Sequence, residues 1–319
     1  MGNWGDPITS RDEARLLPKI LAVGSNGCVQ ACLVKGGVVA VKRSYCLKMP
    51  EDIKPIYSDA NGIMREVAVL AGLKKEASDH PGYSYLVPFV GACVSETGEP
   101  LILLEMADQS LENKLAAGPV SHGEFLQLSW EIFSGLECLS TLNLVHQDVK
   151  PGNILLKGGK VWLADFGETT SDQGIASLGV LGEPWTAEER IGGTKDIKPF
   201  HGYYELPQPA TDVWSTGLTM IAMLSKDSHK AGEFLQKLHE FSYGTTPADQ
   251  LDDDQIEQLR SQTEVVVDEF LEENLTGAMA RYTQPYAELL YRIFDPDPRT
   301  RITSSEARQT LGLYLKKIT

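Results

Sequence analysis

Short runs of apolar residues dominate the first third of the chain, with lengths and spacings typical of β-strands. The runs at 29–34 and 38–42 flank Lys35-Gly36-Gly37, whose composition favours a tight hairpin turn. Two more strand-like runs follow at 86–94 and 100–104. The pattern therefore predicts a small, mostly antiparallel sheet.

A helical period appears once in this first third and then prevails after Asp108. The early helix is predicted by apolar residues at positions i, i+4 and i+7, which are Ile63, Val67 and Leu70. A capping box of Ser121 and Glu124 marks the start of a second helix, and Thr303 with Glu306 marks the start of a later one. Further helices are predicted at 211–225, 283–294 and 304–316.

On this pattern the chain divides into three parts. We expect a loose polar arm at 1–15, a β-rich unit with one main helix at 16–107, and a larger, mostly helical unit at 108–319. A short β insert is predicted at 154–164, and an acidic stretch at 250–254 is interpreted as a solvated loop. Strands that precede helices in this way indicate an α+β protein.

Composition and charge exclude several classes of function. The 319 residues include 29 Lys and Arg but 44 Asp and Glu, which gives a net charge of −15. Such a surface repels phosphate backbones and anionic lipid, so we expect no nucleic-acid partner. No apolar run approaches the ~20 residues of a membrane span, and the first residues do not have the pattern of a signal peptide.

Cysteine usage indicates a reducing compartment. The chain has five cysteines, an odd number, and no C-x-x-C pair. Free thiols are therefore expected, in a soluble, intracellular protein of the cytoplasm. Nothing in the pattern specifies an oligomeric state.

A glycine-containing turn precedes the predicted hairpin. Gly24 and Gly27 flank Ser25 and Asn26, and Val29 follows two residues later. Glycines at such a turn let backbone N–H groups approach a phosphate without a Cβ in the way. Because a strand follows and no Lys-Ser/Thr pair is present, the turn fits neither a dinucleotide-binding loop nor a P-loop. By itself it fits an ordinary hairpin turn equally well.

Lys42 and Glu66 favour a phosphate-binding role for this turn over an ordinary hairpin turn. Lys42 ends the apolar run that starts at residue 38, and Glu66 lies on the inward, apolar face of the helix predicted around Ile63. A buried carboxylate is unfavourable unless it is paired. Lys42 is its natural partner, and the pair would direct the ammonium group at the phosphates of a ligand.

A third group of residues carries the chemistry of phosphoryl transfer. The stretch from His146 to Asn153 contains Asp148 and Lys150, and Asp165-Phe166-Gly167 follows after the β insert. One carboxylate can orient an attacking hydroxyl, and a lysine can offset charge on the moving phosphoryl group. A second carboxylate and an amide oxygen can hold Mg²⁺, which prefers oxygen ligands. Both motifs in this order make chance spacing a poor explanation.

Together these residues resemble a eukaryotic-type protein kinase domain over residues 16–316. The matches are, in order, Gly24, Gly27 and Val29 for the glycine-rich loop, Lys42 for the V-A-I-K lysine, Glu66 for its helix partner, 146–153 for H-R-D-L-K-x-x-N, 165–167 for D-F-G, 187–189 for A-P-E and 212–217 for the D-V-W-S-x-G helix start. The resemblance implies a bilobal fold, with a small antiparallel β-rich N-lobe ending at residue 107 and a larger, mostly helical C-lobe.

The resemblance also implies a role for each matched residue. Asp148 would be the catalytic base and Lys150 would contact the γ-phosphate of ATP, while Lys42 and Glu66 would position the phosphates. The nucleotide would be bound by the glycine loop and by a pocket around the adenine, which together comprise Leu21, Gly24, Ser25, Gly27, Val29, Ala40, Lys42, Leu104, Glu105, Ala107 and Leu155.

Further implied roles concern the metal and the packing between lobes. Asn153 and Asp165 would bind Mg²⁺. Arg301 would form a buried ion pair with Glu189 of the A-P-E-like segment. An apolar column would link the two lobes, built from Phe89, Leu70, Phe166 and His146.

Departures from the family pattern bear on substrate and regulation. Gln147 replaces the arginine of H-R-D, so the chain resembles kinases that do without a phosphate-binding arginine there. Lys150 is the serine/threonine pattern. The stretch 185–187 instead resembles tyrosine kinases, and Gly182 stands where serine/threonine kinases usually have a threonine. Lys150 is closer to the reaction, so we expect serine/threonine specificity. Gly152 stands where kinases that prefer arginine-rich substrates often have Glu, which removes one argument for a basic consensus.

Other readings of the same sequence remain. A tyrosine or dual-specificity kinase is one alternative. A pseudokinase scaffold that binds ATP without turnover is another, although the lysine, the base and the metal ligands are all present. Small-molecule phosphotransferases resemble the catalytic loop, but lack Lys150 at this spacing and the A-P-E-like segment.

Overall fold

The computed structural model describes residues 14–24, 27–43, 60–95, 98–171, 208–225, 232–234, 236–238 and 251–317. A five-stranded antiparallel sheet with one helix comes first, and a larger set of helices with two small sheets follows. This is the α+β, two-part architecture that the sequence predicts.

The N-terminal sheet consists of β1 (Ala14–Gly24), β2 (Gly27–Val34), β3 (Gly37–Arg43), β4 (Phe89–Val94) and β5 (Pro100–Leu104). The strands lie in the order β1-β2-β3-β5-β4, and every neighbouring pair is antiparallel. The predicted hairpin is the β2–β3 pair. Its closing residue Gly37 has a φ of 137°, a conformation that favours glycine.

Two strand limits differ from the predicted ones. β1 begins at Ala14, so its first two residues fall inside the stretch 1–15 that was predicted as a loose arm. The strand predicted from residue 86 begins only at Phe89. The residues before it cannot extend the ladder because Pro81–Tyr85 form a 3₁₀ turn and Pro88 has no N–H to donate.

Helix α1 (Ala60–Glu76) packs its apolar face against the sheet. Ile63 and Leu70 are each 2% exposed, and Glu66 lies on the same face at 1%. Lys74 and Lys75 occupy the last turn, where the helix dipole favours positive charge. The helical spacing thus predicted the buried face correctly, and that face carries a carboxylate into the interior.

The helical part contains these described α-helices: α2 (Leu111–Ala117), α3 (His122–Ser140), α4 (Pro209–Leu224), α5 (Asp253–Asn274), α6 (Thr283–Ile293) and α7 (Ser304–Leu315). Both predicted capping boxes are present, Ser121 with Glu124 at α3 and Thr303 with Glu306 at α7. The three helices predicted after residue 210 match α4, α6 and α7 to within two residues at each end.

The acidic stretch 250–254 was predicted as a loop, and from Asp252 onward this is wrong. Asp252 caps α5 by accepting a hydrogen bond of 2.8 Å from the N–H of Gln255. Asp253 and Asp254 lie in the first turn, where the positive end of the helix dipole stabilises their charge. The acids therefore start a helix of 22 residues that the sequence analysis missed.

Two small sheets hold the loops that carry the polar motifs. One contains β6 (Gln109–Ser110), β8 (Ile154–Lys157) and β9 (Lys160–Leu163), in the order β6-β8-β9. The other pairs β7 (Leu144–Val145) with β10 (Thr170–Ser171). Residues 146–153 therefore run from β7 to β8, and the D-F-G residues run from β9 towards β10.

One apolar core continues through both parts, and it includes Leu70 and Leu104 as well as Ile154 and Trp214. Close packing is required where α4 meets the end of α6. A Cβ on Gly217 would lie 2.4 Å from Cγ2 of Ile293, so only glycine fits there without a shift. Within the described ranges, no helix has both the length and the apolar character that a membrane crossing requires.

Candidate active site

The buried ammonium of Lys42 contacts two carboxylates. β3 places Lys42 beside β5, opposite Ile102. Its Nζ lies 2.7 Å from Oε2 of Glu66 on α1 and 2.5 Å from Oδ1 of Asp165. The structure thus brings Lys42 and Glu66 together as predicted. It adds the direct contact with Asp165, which the sequence analysis did not foresee.

Burial and neighbouring charges shift the pKa values of this cluster in opposite directions. Burial alone would lower the pKa of Lys42, but the attraction of Glu66 and Asp165 is stronger and raises it above its ordinary value. Burial would raise the pKa of Asp165, and Lys42 outweighs it and lowers that pKa. The pKa of Glu66 is raised, first by burial and also by repulsion from Asp165, against the pull of Lys42. One ammonium is thus shared between two acids, and Glu66 is the one more ready to take a proton.

Asp212, in the first turn of α4, holds the loop after β7 through two hydrogen bonds. Its Oδ2 accepts the N–H of His146 at 2.6 Å, and its Oδ1 accepts the N–H of Gln147 at 2.8 Å. Gln147 has a φ of 66°, a left-handed conformation that is uncommon for a residue other than glycine. Burial raises the pKa of Asp212 to about 7, although the two hydrogen bonds oppose the shift.

His146 is completely buried, and its hydrogen bonds define its tautomer. Its Nε2 lies 3.1 Å from the carbonyl of Ala164, which can only accept, so Nε2 carries the proton. Its Nδ1 then accepts the N–H of Asp148 at 3.3 Å. Burial lowers the pKa of His146, so the ring is neutral. The imidazole ties the Asp148 loop to the strand that leads into Asp165.

Asp148 is partly open to solvent, and two side chains from its own loop hold it. Lys150 Nζ lies 2.8 Å from Oδ2 and 3.0 Å from Oδ1, and Asn153 Nδ2 donates to Oδ2 at 2.7 Å. The Asp148 side chain is 23% exposed. A carboxylate in this setting can accept a proton from a group that approaches from solvent, and a cation already lies beside it.

Asp165, Phe166 and Gly167 begin a tight turn after β9. Asp165 has a φ of 66°, and the N–H of Phe166 donates to Oε1 of Glu66 at 3.1 Å. The Phe166 ring is fully buried with its centroid 5.0 Å from that of His146. Leu70 belongs to the same apolar cluster as Phe166, and Phe89 packs against that cluster. Of the column implied by the resemblance, the contact between Phe166 and His146 is the one observed directly.

Two oxygen donors fit a divalent cation of the Mg²⁺ type. Asn153 commits its amide nitrogen to Asp148, which leaves its side-chain oxygen as the atom able to ligate. Asp165 is a carboxylate whose side chain is 29% exposed. The described residues contain no group of three or more His, Cys, Asp or Glu placed to hold a metal. A cation here would therefore depend on these two donors, with substrate phosphates and water completing its shell.

The residues expected around an adenine lie on neighbouring strands. Ala40 of β3 is directly opposite Leu104 of β5, and both are buried. Val29 and Leu155 are partly buried against the same core, and Leu21 is 37% exposed.

The segment after Leu104 runs beside β8. The N–H of Asp108 donates to the carbonyl of Leu156 at 2.9 Å, which holds residues 105–108 next to Leu155. The N–H of Glu105 is bonded to the carbonyl of Pro88 at 3.0 Å. Of the two backbone groups of Glu105, the carbonyl is therefore the one that can face a ligand, and Ala107 follows as the other expected contact.

Not every predicted site residue falls within the described ranges. Gly24 pairs with Gly27 at the end of the β1–β2 ladder, and Gly27 has a φ of 127°. Ser25 and Glu189 lie outside the described residues. Arg301 is 7% exposed; it donates to the carbonyls of Asp295 and Ala210 and lies 4.8 Å from the centre of the Trp214 ring.

Three contacts near the catalytic loop were missed from sequence. Asp212 was noted as part of a helix start but given no role, and its only signal is a charge beside the apolar face of α4. Gln147 donates from Nε2 to the carbonyl of Glu168 at 2.8 Å and to Oγ1 of Thr170 at 2.6 Å. Oε2 of Glu112 lies 3.4 Å from the place where a Cβ on Gly152 would be, so an exposed acid from α2 occupies that space.

Known proteins resemble this chain over most of its length. The family model for the protein kinase domain matches residues 17–311. Cell division control protein 7 of Schizosaccharomyces pombe is 29% identical over 209 residues, which are 60% of this chain and 17% of that protein. Serine/threonine-protein kinase ISR1 of Eremothecium gossypii is 24% identical over 220 residues, 66% of this chain and 58% of that protein. Mitogen-activated protein kinase kinase 9 of Arabidopsis thaliana is 28% identical over 216 residues, 64% of this chain and 61% of that protein.

The aligned region thus spans less than two thirds of the length of these relatives. Within this chain, the family match includes the Lys42 cluster, the Asp148 loop and the D-F-G turn. The residues that assemble in the structure are those that carried the resemblance in the sequence. The chain belongs to the protein kinase domain family.

Proposed function

We propose that this protein transfers the γ-phosphoryl group of ATP to serine or threonine hydroxyls of protein substrates. The observation that carries the proposal is the arrangement of Asp148, with one carboxylate partly open to solvent and the Lys150 ammonium 2.8 Å away. A hydroxyl that approaches from solvent would meet a proton acceptor and a cation at the same place. Phosphoryl transfer needs little else from the protein beyond positioning and charge.

Each remaining residue has a specific task in this scheme. Lys42 would bind nucleotide phosphates, and Glu66 would keep the ammonium pointed at them. Leu21, Val29, Ala40, Leu104 and Leu155 would enclose the adenine, which would bond the backbone of Glu105 and Ala107. Gly24, Ser25 and Gly27 would cover the phosphates with backbone N–H groups.

Asn153 and Asp165 would hold Mg²⁺. When bound, the ion would neutralise charge on the phosphates as the γ-phosphoryl group moves. Asp165 now contacts Lys42 at 2.5 Å, so cation and lysine would share one carboxylate. Glu66 can then remain the second partner of Lys42, which keeps the ammonium in place.

Serine/threonine specificity is favoured by Lys150, which bonds both oxygens of Asp148. The similarity to serine/threonine-protein kinase ISR1 agrees with it. We also assign the protein to the reducing cytoplasm, because none of the cysteines in the described ranges, Cys28, Cys32, Cys93 and Cys138, forms a disulfide.

A pseudokinase scaffold is the alternative that a single assay separates. The whole chain is incubated with γ-labelled ATP and Mg²⁺, alone and with an added protein acceptor, and the labelled product is hydrolysed for phosphoamino-acid analysis. We expect phosphoserine and phosphothreonine. Asp148→Asn serves as the blank, and Asp254→Asn, an exposed acid on α5, serves as the matched control with parental activity.

Labelled phosphotyrosine as the main product would overturn the serine/threonine assignment. Label at the level of the Asp148→Asn blank in the parent protein would overturn the enzymatic proposal and leave ATP binding without turnover.

A further inference from the structure

Gln147 links the loop 146–153, to which it belongs, with the segment that follows the D-F-G turn. Its backbone N–H donates to Asp212, and its side-chain amide crosses to residues 168 and 170. Both contacts of the side chain are short, 2.8 Å to the carbonyl of Glu168 and 2.6 Å to Oγ1 of Thr170. Because the Glu168 carbonyl can only accept, the amide nitrogen must face it, and both hydrogens of that nitrogen are used.

The acceptor side of this contact is buried. Thr170 is 4% exposed, and with Ser171 it forms β10, which pairs with β7 just before His146. A buried hydroxyl bonded to an amide is costly to separate, because each group then loses a partner away from water. Gln147 therefore adds one side-chain bond to a two-residue strand that is too short to be stable alone, and a second to Glu168 just before that strand.

The same segment begins with the groups that form the site. Phe166 donates to Glu66, and the N–H of Thr169 donates to the carbonyl of Phe166 at 3.1 Å. The turn that starts at Asp165 is thus tied to α1 at one end and to Gln147 at the other. A shift of residues 168–171 would move Asp165 relative to Lys42.

We propose that Gln147 is a positioning residue which, through Thr170, holds residues 168–171 and with them Asp165 and Phe166 in the arrangement required for phosphoryl transfer. This inference rests on the proposed function and names how its site is kept in order. No phosphorylated residue is needed for it, since a neutral amide makes the contact. Thr169, Thr170 and Ser171 are 1%, 4% and 0% exposed, so in this arrangement their hydroxyls are closed to a modifying enzyme.

The contact is tested by a double-mutant cycle that removes each partner with little change of shape. Thr170→Val keeps the volume and removes the acceptor, and Gln147→Leu removes the donor. We expect each single variant to lower kcat/KM by at least about fivefold, and the double variant to lose no more than the worse single one. Thr170→Ser retains the hydroxyl and should remain within twofold of the parent.

The neighbouring residue supplies a matched control. Thr169 is buried, and within the described part of the chain its Oγ1 has no hydrogen-bond partner. Thr169→Val makes the same chemical change one residue away and should stay within twofold of the parent. A general effect of valine on this segment would lower both variants alike, whereas the proposed contact lowers only Thr170→Val.

A second readout does not depend on turnover. Amide hydrogen exchange of residues 168–171, measured without substrate, should quicken in Gln147→Leu and Thr170→Val and stay parental in Thr169→Val. If Thr170→Val fails to fold, Gln147→Asn, whose amide is one methylene shorter, takes its place and should show the same quickening. If the parent has no kinase activity but exchange of residues 168–171 is faster in these variants than in the parent, the contact is supported and the proposed function is refuted.

Three outcomes would overturn the inference. They are activity of Thr170→Val equal to that of Thr169→Val, losses that multiply in the double variant, or exchange of residues 168–171 that is unchanged when Gln147 is replaced.

Discussion

Two aspartates make hydrogen bonds with residues of the loop 146–153, one from α4 and one from within the loop, and they differ in whether their carboxylates remain accessible to a substrate. Asp212 is 3% exposed, and its two oxygens accept backbone N–H groups of His146 and Gln147. The Asp148 side chain is 23% exposed, and its partners are the side chains of Lys150 and Asn153. Backbone groups cannot leave Asp212 without unfolding the loop, whereas side chains can give way to a substrate. One acid thus shapes the loop and the other is available for chemistry.

The sharpest test of this contrast is Asp148→Asn. We expect phosphotransfer to fall by at least about a hundredfold, because the proton acceptor is lost. The thermal midpoint should change little, because the side chain is partly exposed and the amide can still accept from Lys150. ATP binding, followed by titration of the protein with a fluorescent analogue, should persist. Near-parental turnover on a protein substrate would contradict the assignment of Asp148.

Lys42→Met examines a group that is both buried and reactive. Activity should be lost because no ammonium meets the phosphates, while the protein keeps a cooperative melt with a lowered midpoint. The raised pKa of Glu66 lets that acid take a proton once its partner is gone, and methionine can fill the space. Adding Glu66→Gln should restore part of the lost stability without restoring activity. Loss of any cooperative melt in both variants would show that Lys42 is required for folding.

Asp212→Ala should reduce stability more than activity, the reverse of what we expect for Asp148→Asn. Two buried backbone N–H groups lose their acceptor, which should lower the free energy of unfolding by about 3 kcal/mol. Urea unfolding followed by circular dichroism measures this. Activity per folded molecule should fall less than in Asp148→Asn. A stability equal to that of the parent would mean that the loop keeps its shape without this acid.

Arg301→Ala extends the contrast to a buried cation. Its guanidinium bonds the carbonyls of Asp295 and Ala210, so its removal should lower the free energy of unfolding by roughly 3 kcal/mol. Arg292→Ala is the control, because its side chain is 52% exposed and its partner Glu306 is equally exposed at the surface. Equal thermal midpoints for the two variants would count against a structural role of Arg301.

The last prediction concerns the pH dependence of stability. The pKa of Asp212 is about 7 in the folded protein and ~3.9 when unfolded, so the folded state binds more protons between these values. Its contribution to the free energy of unfolding therefore decreases as pH rises from about 4 to about 7 and is constant above. The stability difference between the parent and Asp212→Asn should decrease over that range in urea titrations. A difference independent of pH would show that the acid stays charged throughout.

Local patterns were sufficient for much of this fold. The β2–β3 hairpin, the buried face of α1 and the two capping boxes all follow from residues within one or two turns of each other. The pairing of Lys42 with Glu66 also followed, because an acid on an apolar helix face needs a cation. Helix α5 was missed although Ile256, Leu259 and Thr263 are buried at helical spacing, since its acidic first turn was taken as a loop.

The sequence alone determined which chemical groups this protein possesses and the order in which they occur. That order identified the kinase family and the departures from its pattern, such as Gln147 in place of arginine. Only the tertiary structure decided what these groups bind. Asp212 reaches His146 and Gln147 across more than 60 residues, and Gln147 reaches Thr170 across 23. Such contacts leave no periodic trace along the chain, because they depend on how α4, β7 and β10 pack and not on the residues next to them.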